Sequence, residues 1–264
     1  MMKTNNFRRI GLIVPSSNVT METEIPALLH ARQLTYPDRF TFHSSRMRMK
    51  SVVKEELERM DDESGRCAIE LSDAQVEVQA YACLVAIMCR GSSYHEVAEK
   101  RLFEATVTNH CPTPVLSSAG ALIKGLHAMG AKKVSIICPY MKPLTKMVVD
   151  YIEEQGIEVK DYLALEIADN LQVASQDPMA PSHLWKRLDT KGVDAIVGSA
   201  CVQMPSLPSI KLIEKASGIP TLSASIATVW EILKSLQLEP VAEGGGSLLS
   251  GRFLADPLVH DVNE

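Results

Sequence analysis

The feature that most constrains the fold of this chain is an internal repeat of apolar runs, prolines and cysteines. The segment RRIGLIVPSS (Arg8–Ser17) aligns with KKVSIICPYM (Lys132–Met141), since each has two basic residues, a short apolar run and a proline. Further along each half an apolar run ends at a cysteine, Cys83 in VQAYAC and Cys201 in VDAIVGSAC. The chain is therefore built from two related units.

A second pair of similar segments closes the two halves, TPVLSSAGALIKGL (Thr113–Leu126) and IPTLSASIATVWEIL (Ile219–Leu233). The recurrence of proline, cysteine and Pro-x-Leu-Ser in one order predicts an α/β fold. It consists of two similar small parallel-sheet domains related by a pseudo-twofold axis, with the active site in the cleft between them. We predict a first domain from residues 1–117 plus 224–264, including a returning C-terminal helix, and a second from residues 118–223.

Short apolar strands alternate with amphipathic helices such as Thr145–Glu154 and Ser225–Leu236. Continuous apolar strands separated by helices are typical of a buried parallel sheet. The predicted strands are Arg9–Val14, Phe40–His43, Val78–Ala82, Val115–Ser117, Val134–Cys138, Glu158–Leu165, Val193–Gly198 and Thr221–Ser223.

Composition excludes several classes of function. A net charge of −5 and the lack of basic runs argue against a nucleic-acid partner. No apolar run reaches the roughly 20 residues of a membrane helix, and the N-terminus lacks a signal-peptide cleavage pattern. Six cysteines without a CxxC pair predict free thiols and no metal site. We expect a cytoplasmic protein.

Cys83 and Cys201 are the candidate catalytic residues. Each ends a buried strand, where the start of a following helix would stabilise an anion. This placement predicts a lowered pKa for both thiols and a position on opposite sides of one cleft. The backbone amides after the two cysteines could hold a carboxylate beside each sulfur: Leu84, Val85, Val202 and Gln203.

Three uncharged hydrogen-bonding side chains follow the other strands. Asn18 lies in PSSN and Tyr140 in CPY, directly after the repeated prolines, and Asn170 lies in ADN. Such groups can hold a carboxylate without acting as bases. Two simpler interpretations stay open: Ser17 or Asn18 could cap the helix that begins near METEIPALL, and Asn170 could be a turn residue.

These segments together resemble maleate cis-trans isomerase, within the aspartate/glutamate racemase superfamily. The resemblance covers nearly the whole chain, and Val19 stands where its motif more often has threonine. It implies an enzyme without cofactor that converts maleate to fumarate, as in nicotinate-type aromatic degradation. It also implies that Cys83 is the nucleophile and Cys201 the proton donor. The implied substrate-binding positions are Asn18, Leu84, Val85, Tyr140, Asn170, Val202 and Gln203.

The chemistry of a double bond agrees with this resemblance. Rotation requires a momentary single bond, which a thiolate creates by adding to one alkene carbon. Cys83 would add, Cys201 would protonate the neighbouring carbon, and both steps would reverse after rotation about the new single bond. The motifs contain no Arg or Lys, so we expect neutral donors to hold the diacid, with Arg46 and Arg48 the nearest possible exceptions.

Two other classes remain possible from the sequence. An amino-acid or hydantoin racemase would use the same two cysteines to remove and return an α-proton, and a non-catalytic dicarboxylate-binding protein would need neither. A decarboxylase of this fold would need only one cysteine, so the presence of both argues against it. In every case the expected partner is a small molecule, and we expect a homo-oligomer.

Overall fold

The computed structural model describes residues 7–253, which form two four-stranded parallel sheets. The first sheet has the order β2-β1-β3-β4 and the second the order β6-β5-β7-β8. The predicted α/β class and the repeated parallel sheets are confirmed. The strands are β1 (Phe7–Pro15), β2 (Arg39–Met47), β3 (Val78–Tyr81), β4 (Val115–Ser117), β5 (Lys133–Cys138), β6 (Glu158–Ala164), β7 (Ala195–Ser199) and β8 (Thr221–Ser223).

Helices connect the strands and flank both sheets. They are α1 (Met21–Arg32), α2 (Lys54–Asp73), α3 (Leu84–Met88), α4 (Tyr94–Thr108), α5 (Ser118–Ala128), α6 (Lys142–Glu154), α7 (Asn170–Ala174), α8 (Pro181–Leu184), α9 (Leu207–Ser217) and α10 (Ala224–Ser235). Within residues 7–253, no helix is long and apolar enough to cross a bilayer.

One strand is longer than its sequence predicts. β2 continues past His43 to Met47, because it stays paired with β1 through Leu12 to Ser44 and Val14 to Arg46. It lies at the edge of its sheet, where polar side chains can face solvent without breaking the hydrogen-bond ladder. A prediction from the apolar run alone therefore ends this strand too early.

The serine of each Pro-x-Leu-Ser motif caps the helix that follows it. Ser117 Oγ accepts a hydrogen bond from the backbone N–H of Gly120, and Ser223 Oγ accepts one from that of Ile226. Both helices, α5 and α10, thus begin directly after a three-residue strand, and they pack against each other.

The predicted domain bounds stay a prediction. The final helix α10 contacts β3 and β4 of the first sheet but also β8 of the second, so packing alone assigns it to neither. Residues 1–6 and 254–264, which the prediction places in the first domain, lie outside the described residues.

Strand order explains where a site can form. In the first sheet the chain passes from β1 to β2 on one side and then to β3 on the other side of β1. In the second sheet it passes from β5 to β6 and then to β7 in the same way. A topological switch point therefore lies between β1 and β3 and another between β5 and β7. Ligands of such sheets bind at the carboxyl ends of the strands beside this point. The four segments that follow these strand ends carry Asn18, Cys83, Tyr140 and Cys201.

Candidate active site

A cavity with about 300 Å³ of empty space lies where the two switch points meet. Its lining brings together all nine residues singled out from the sequence, together with the repeated proline Pro15 and two apolar residues that the sequence does not mark, Met49 and Val52. None of its lining residues, all from the described part of the chain, is charged. The predicted lining residues are Asn18, Cys83, Leu84, Val85, Tyr140, Asn170, Cys201, Val202 and Gln203.

Cys83 occupies a strained turn between β3 and α3. Its φ of 116° and ψ of 75° fall in a region that residues with a Cβ rarely adopt. Strain of this kind persists where the surrounding structure enforces it, and it is concentrated at functional sites. Because Leu84 and Val85 open α3, their backbone N–H groups have no acceptor within the helix. They are free to face an anion beside the thiol.

Cys201 does not lie at a helix start, so that expectation is wrong for the second half. α9 begins only at Leu207, because Pro205 lacks an N–H and disfavours helical geometry at Met204. An irregular turn follows the cysteine instead, and the backbone N–H of Gln203 donates to its sulfur at 3.3 Å. The Tyr140 hydroxyl also hydrogen-bonds to this thiol.

The predicted lowering of both thiol pKa values is wrong as well. Burial raises the pKa of the Cys83 thiol, and it raises the pKa of the Cys201 thiol. Hydrogen bonds from Ala86 to the first sulfur and from Tyr140 to the second act in the opposite direction, but removal from water is the larger effect. Both thiols are therefore protonated in the empty site at neutral pH.

The side chain of Asn18 caps the start of α1. Its side-chain Oδ1 accepts hydrogen bonds from the backbone N–H groups of Thr20 and Met21, both at 3.1 Å. The capping interpretation is thus correct for this oxygen. Because the cap uses the oxygen, the amide nitrogen of Asn18 is the atom that this cavity-lining side chain can offer to a ligand.

A hydrogen-bonded bridge joins the two halves at the cavity. Asn170 Nδ2 donates to Ser17 Oγ at 2.8 Å. Gln203 Nε2 donates to the carbonyl oxygens of Ser17 at 2.8 Å and Asn170 at 2.9 Å, while its Oε1 accepts from the Val19 N–H at 3.1 Å. The side chain of Gln203 is fully engaged with protein groups, so its predicted contact with a substrate would use the backbone.

The two arginines considered as possible intruders do not line the cavity. Arg46 Nη1 donates to the carbonyl oxygens of Ser16 at 3.1 Å and Asn18 at 2.9 Å, and its Nη2 pairs with Glu22. Arg48 lines a separate groove together with Glu56. Arg46 therefore braces the loop that carries Asn18, from outside.

A buried carboxylate lies behind Cys83, and sequence reasoning missed it. Asp61 in α2 has no exposed surface and accepts hydrogen bonds from the hydroxyls of Tyr81 at 2.8 Å and Tyr94 at 2.6 Å. Arg101 Nη2 at 3.0 Å and Arg90 Nη2 at 3.3 Å complete the cluster. In the sequence, Asp61 stands among many charged residues of an amphipathic helix, so no local signal distinguishes it.

Comparison with known proteins gives the family context. The sequence matches the arylmalonate decarboxylase family over residues 10–249. The maleate isomerase of Geobacillus stearothermophilus is 59% identical over 246 residues, which are 93% of this chain and 98% of that protein.

Solved structures of maleate isomerases have the same fold. A cysteine-to-alanine variant of maleate isomerase from Pseudomonas putida S16 with maleate is 59% identical, with a TM-score of 0.93 over 94% of this chain and 100% of that one. A cysteine-to-serine mutant of the Nocardia farcinica maleate cis-trans isomerase carries a covalently bound succinylcysteine intermediate. It is 46% identical, with a TM-score of 0.88 over 92% of this chain and 98% of that one.

Proposed function

This chain belongs to the maleate isomerase family, and we propose that it converts maleate to fumarate through a succinyl-cysteine intermediate, without a cofactor. The observation that carries the proposal is the presence of Cys83 and Cys201 in one small cavity whose lining is uncharged. Relatives at 46–59% identity support it, since one of them holds maleate and another a succinylcysteine.

The first step joins the substrate to Cys83, in the fraction of the protein in which this thiol has already released its proton to water. The thiolate sulfur bonds to one alkene carbon, and the electron pair of the double bond moves to the other carbon and its carboxylate. Cys201 gives its S–H proton to that carbon, so a succinyl thioether and a Cys201 thiolate result. The strained backbone of Cys83 favours its sulfur as the attacking atom, because the enforced geometry fixes its direction.

Rotation and elimination complete the reaction. The former double bond is now a single bond, and half a turn about it brings the two carboxylates to opposite sides. The Cys201 thiolate removes the same proton, the double bond re-forms, and the carbon–sulfur bond to Cys83 breaks. Every atom and proton returns to its starting place, so no oxidant or reductant is consumed.

Neutral donors suit this sequence of events. We assign the carboxylates to Asn18, Tyr140 and Asn170 and to the backbone amides that follow the cysteines. A fixed cation would bind the starting dianion strongly, whereas neutral donors can shorten their hydrogen bonds as charge moves onto one carboxylate.

Proton NMR of the purified protein tests the function against its alternatives. With maleate, we expect the alkene signal of maleate to be replaced by that of fumarate. With aspartate or a hydantoin in deuterated water, we expect no exchange of the α-proton. Exchange without fumarate formation would instead identify a racemase. The absence of both fumarate formation and exchange would identify a binding protein.

We extend the proposal to the cell. Six free thiols fit a reducing compartment, so we place the protein in the cytoplasm.

Exposed apolar residues on one side of α4, namely Val97, Phe103 and Val107, support a homo-oligomer. Family resemblance supports a role in nicotinate-type degradation. Light scattering after size exclusion tests the oligomer, and induction of the protein by nicotinate tests the pathway.

A further inference from the structure

Glu24 is a buried carboxylate that the proposed reaction does not use. It belongs to α1 of the first half, and only 5% of its surface is exposed. Its Oε1 accepts hydrogen bonds from the backbone N–H groups of Ser206 at 2.6 Å and Leu207 at 2.7 Å. Glu24 thus crosses between the halves and binds the far end of the turn that begins at Cys201.

The same turn is held at two further points by the residues just before α1. Thr20 Oγ1 donates to the Gln203 carbonyl at 2.7 Å, and the Val19 N–H donates to Gln203 Oε1 at 3.1 Å. The Gln203 N–H in turn donates to Cys201 Sγ. A continuous set of hydrogen bonds therefore runs from α1 to the thiol, and Glu24 anchors its outer end.

The hydrogen bonds to the Glu24 carboxyl group come from backbone N–H groups. Its Oε2 is buried without a hydrogen-bond partner, as are the hydroxyls of Ser206 and Ser225, and within residues 7–253 no cation pairs with it. Ser225 lies close enough to lower the pKa of Glu24, although its hydroxyl is outside hydrogen-bonding geometry. Burial raises the pKa of Glu24, and the two amides on Oε1 lower it.

Glu24 acts on Cys201 mainly through the turn. Burial raises the pKa of the Cys201 thiol most, hydrogen bonds from Tyr140 and from the backbone of Gln203 and Met204 lower it, and Glu24 raises it least. The corresponding carboxylate behind Cys83 is Asp61, but Arg90 and Arg101 offset its charge.

We propose that Glu24 is a positioning residue for Cys201: its carboxyl oxygen fixes the turn that presents the thiol to the substrate. The proposal rests on the proposed function, since Cys201 must be held in place to give its proton to the substrate carbon and to take it back.

Two substitutions test this anchor. Glu24→Asp shortens the reach to the N–H groups of Ser206 and Leu207, whereas Glu24→Gln keeps the length and an acceptor oxygen. In a Cys83→Ala background, the rate at which iodoacetamide alkylates Cys201 is followed at fixed pH by peptide mass spectrometry. We expect Glu24→Asp to change this rate by roughly threefold or more, because the turn no longer holds the thiol in place, and Glu24→Gln to stay close to the rate of Cys83→Ala alone.

Turnover is measured in the chain that retains Cys83. We expect Glu24→Asp to lower kcat by about tenfold with little change in KM, because a misplaced acid affects the chemical step more than the binding of maleate. Thr20→Val, which removes a second anchor of the turn without touching a charge, should lower kcat in the same sense. Glu153→Gln, an exposed carboxylate of α6, is the matched control and should change neither quantity.

Either of two results overturns the proposal. One is an unchanged alkylation rate of Cys201 in Glu24→Asp, and the other is wild-type kcat in both Glu24→Asp and Thr20→Val. The alkylation rate does not require maleate. It therefore remains informative if the protein fails to make fumarate, and the two failures can be told apart.

Discussion

The two halves of this molecule place a cysteine at the same point of the same fold and then surround it differently. Cys83 opens a short helix with a strained backbone, while Cys201 keeps a negative φ and begins an irregular turn. When Pro15 is aligned with Pro139, Glu24 of the first half corresponds to Val148 of the second, a fully buried apolar residue. The turn of one cysteine is thus held by a carboxylate, whereas the equivalent position facing the other half is apolar.

This difference shows how a repeat can yield two chemical roles. The fold fixes where the two sulfurs lie, because both follow strands beside a switch point. Their roles depend on how each turn is held, by a strained backbone with free amides at Cys83 and by hydrogen bonds from the opposite half at Cys201. The comparison predicts that equivalent substitutions in the two halves give unequal results.

The largest inequality should come from removing each sulfur in turn. Cys83→Ala should lower kcat by about four orders of magnitude or more, because no covalent intermediate can form. Cys201→Ala should also lose turnover but should accumulate the succinyl adduct on Cys83, with water supplying the proton, because the base that removes this proton before release is missing. Mass spectrometry of each variant after incubation with maleate checks this. An adduct on Cys201 in Cys83→Ala would reverse the two roles.

The next effect concerns the donors of the second half. Tyr140 aligns with Ser16 of the first half, whose hydroxyl bonds to the backbone of Met49 instead of facing the cavity. We expect Tyr140→Phe and Asn170→Ala each to lower kcat/KM roughly ten- to a thousandfold, the cost of one donor to a developing charge. Steady-state kinetics with maleate measures both.

Arg46→Gln provides the contrast for these donors. This residue braces the loop of Asn18 from outside the cavity, so its loss should cost less than the loss of Tyr140 and Asn170 together. A larger loss from Arg46→Gln would show that a cation holds the diacid, and neutral binding would then be wrong.

Most of the fold and most of the residues that line the cavity were predictable from sequence, and particular residues show why. Apolar strands, Pro15 with Pro139, and Cys83 with Cys201 recur in order, and a parallel sheet brings its strand ends to one edge. The thiol pKa values were predicted in the wrong direction, because burial depends on atoms that are distant in sequence.

Contacts between the halves were not predictable either. Glu24 appears in METEIPALL as an ordinary residue of the first turn of a helix, and only the folded chain brings its carboxylate to the N–H groups of Ser206 and Leu207. The engagement of the Gln203 side chain has the same origin, since its partners Ser17, Val19 and Asn170 lie far away along the chain.

The pH dependence of catalysis is a third test. Because burial raises the pKa of Cys83, its thiolate fraction in the free enzyme is small at neutral pH and grows as pH rises. We therefore expect kcat/KM for maleate to increase above pH 7, approaching tenfold per pH unit. The increase should stop where Cys201 also loses its proton. A profile that is flat between neutral and mildly alkaline pH would indicate an activated thiolate at Cys83 and contradict the direction found here.

The smallest effect, in stability, isolates the backbone difference between the two cysteines. The Cys201→Gly variant should have a free energy of unfolding about 1 kcal/mol lower than that of Cys201→Ala, because glycine gives the unfolded chain more conformational freedom. The Cys83→Gly variant should have a free energy of unfolding about 1 kcal/mol higher than that of Cys83→Ala, because glycine lacks the Cβ that makes a φ of 116° unfavourable. Urea unfolding of the four variants measures both differences. If glycine is the less stable residue at both positions, Cys83 is not strained, and the enforced geometry that favours it as the attacking thiol is lost as an argument.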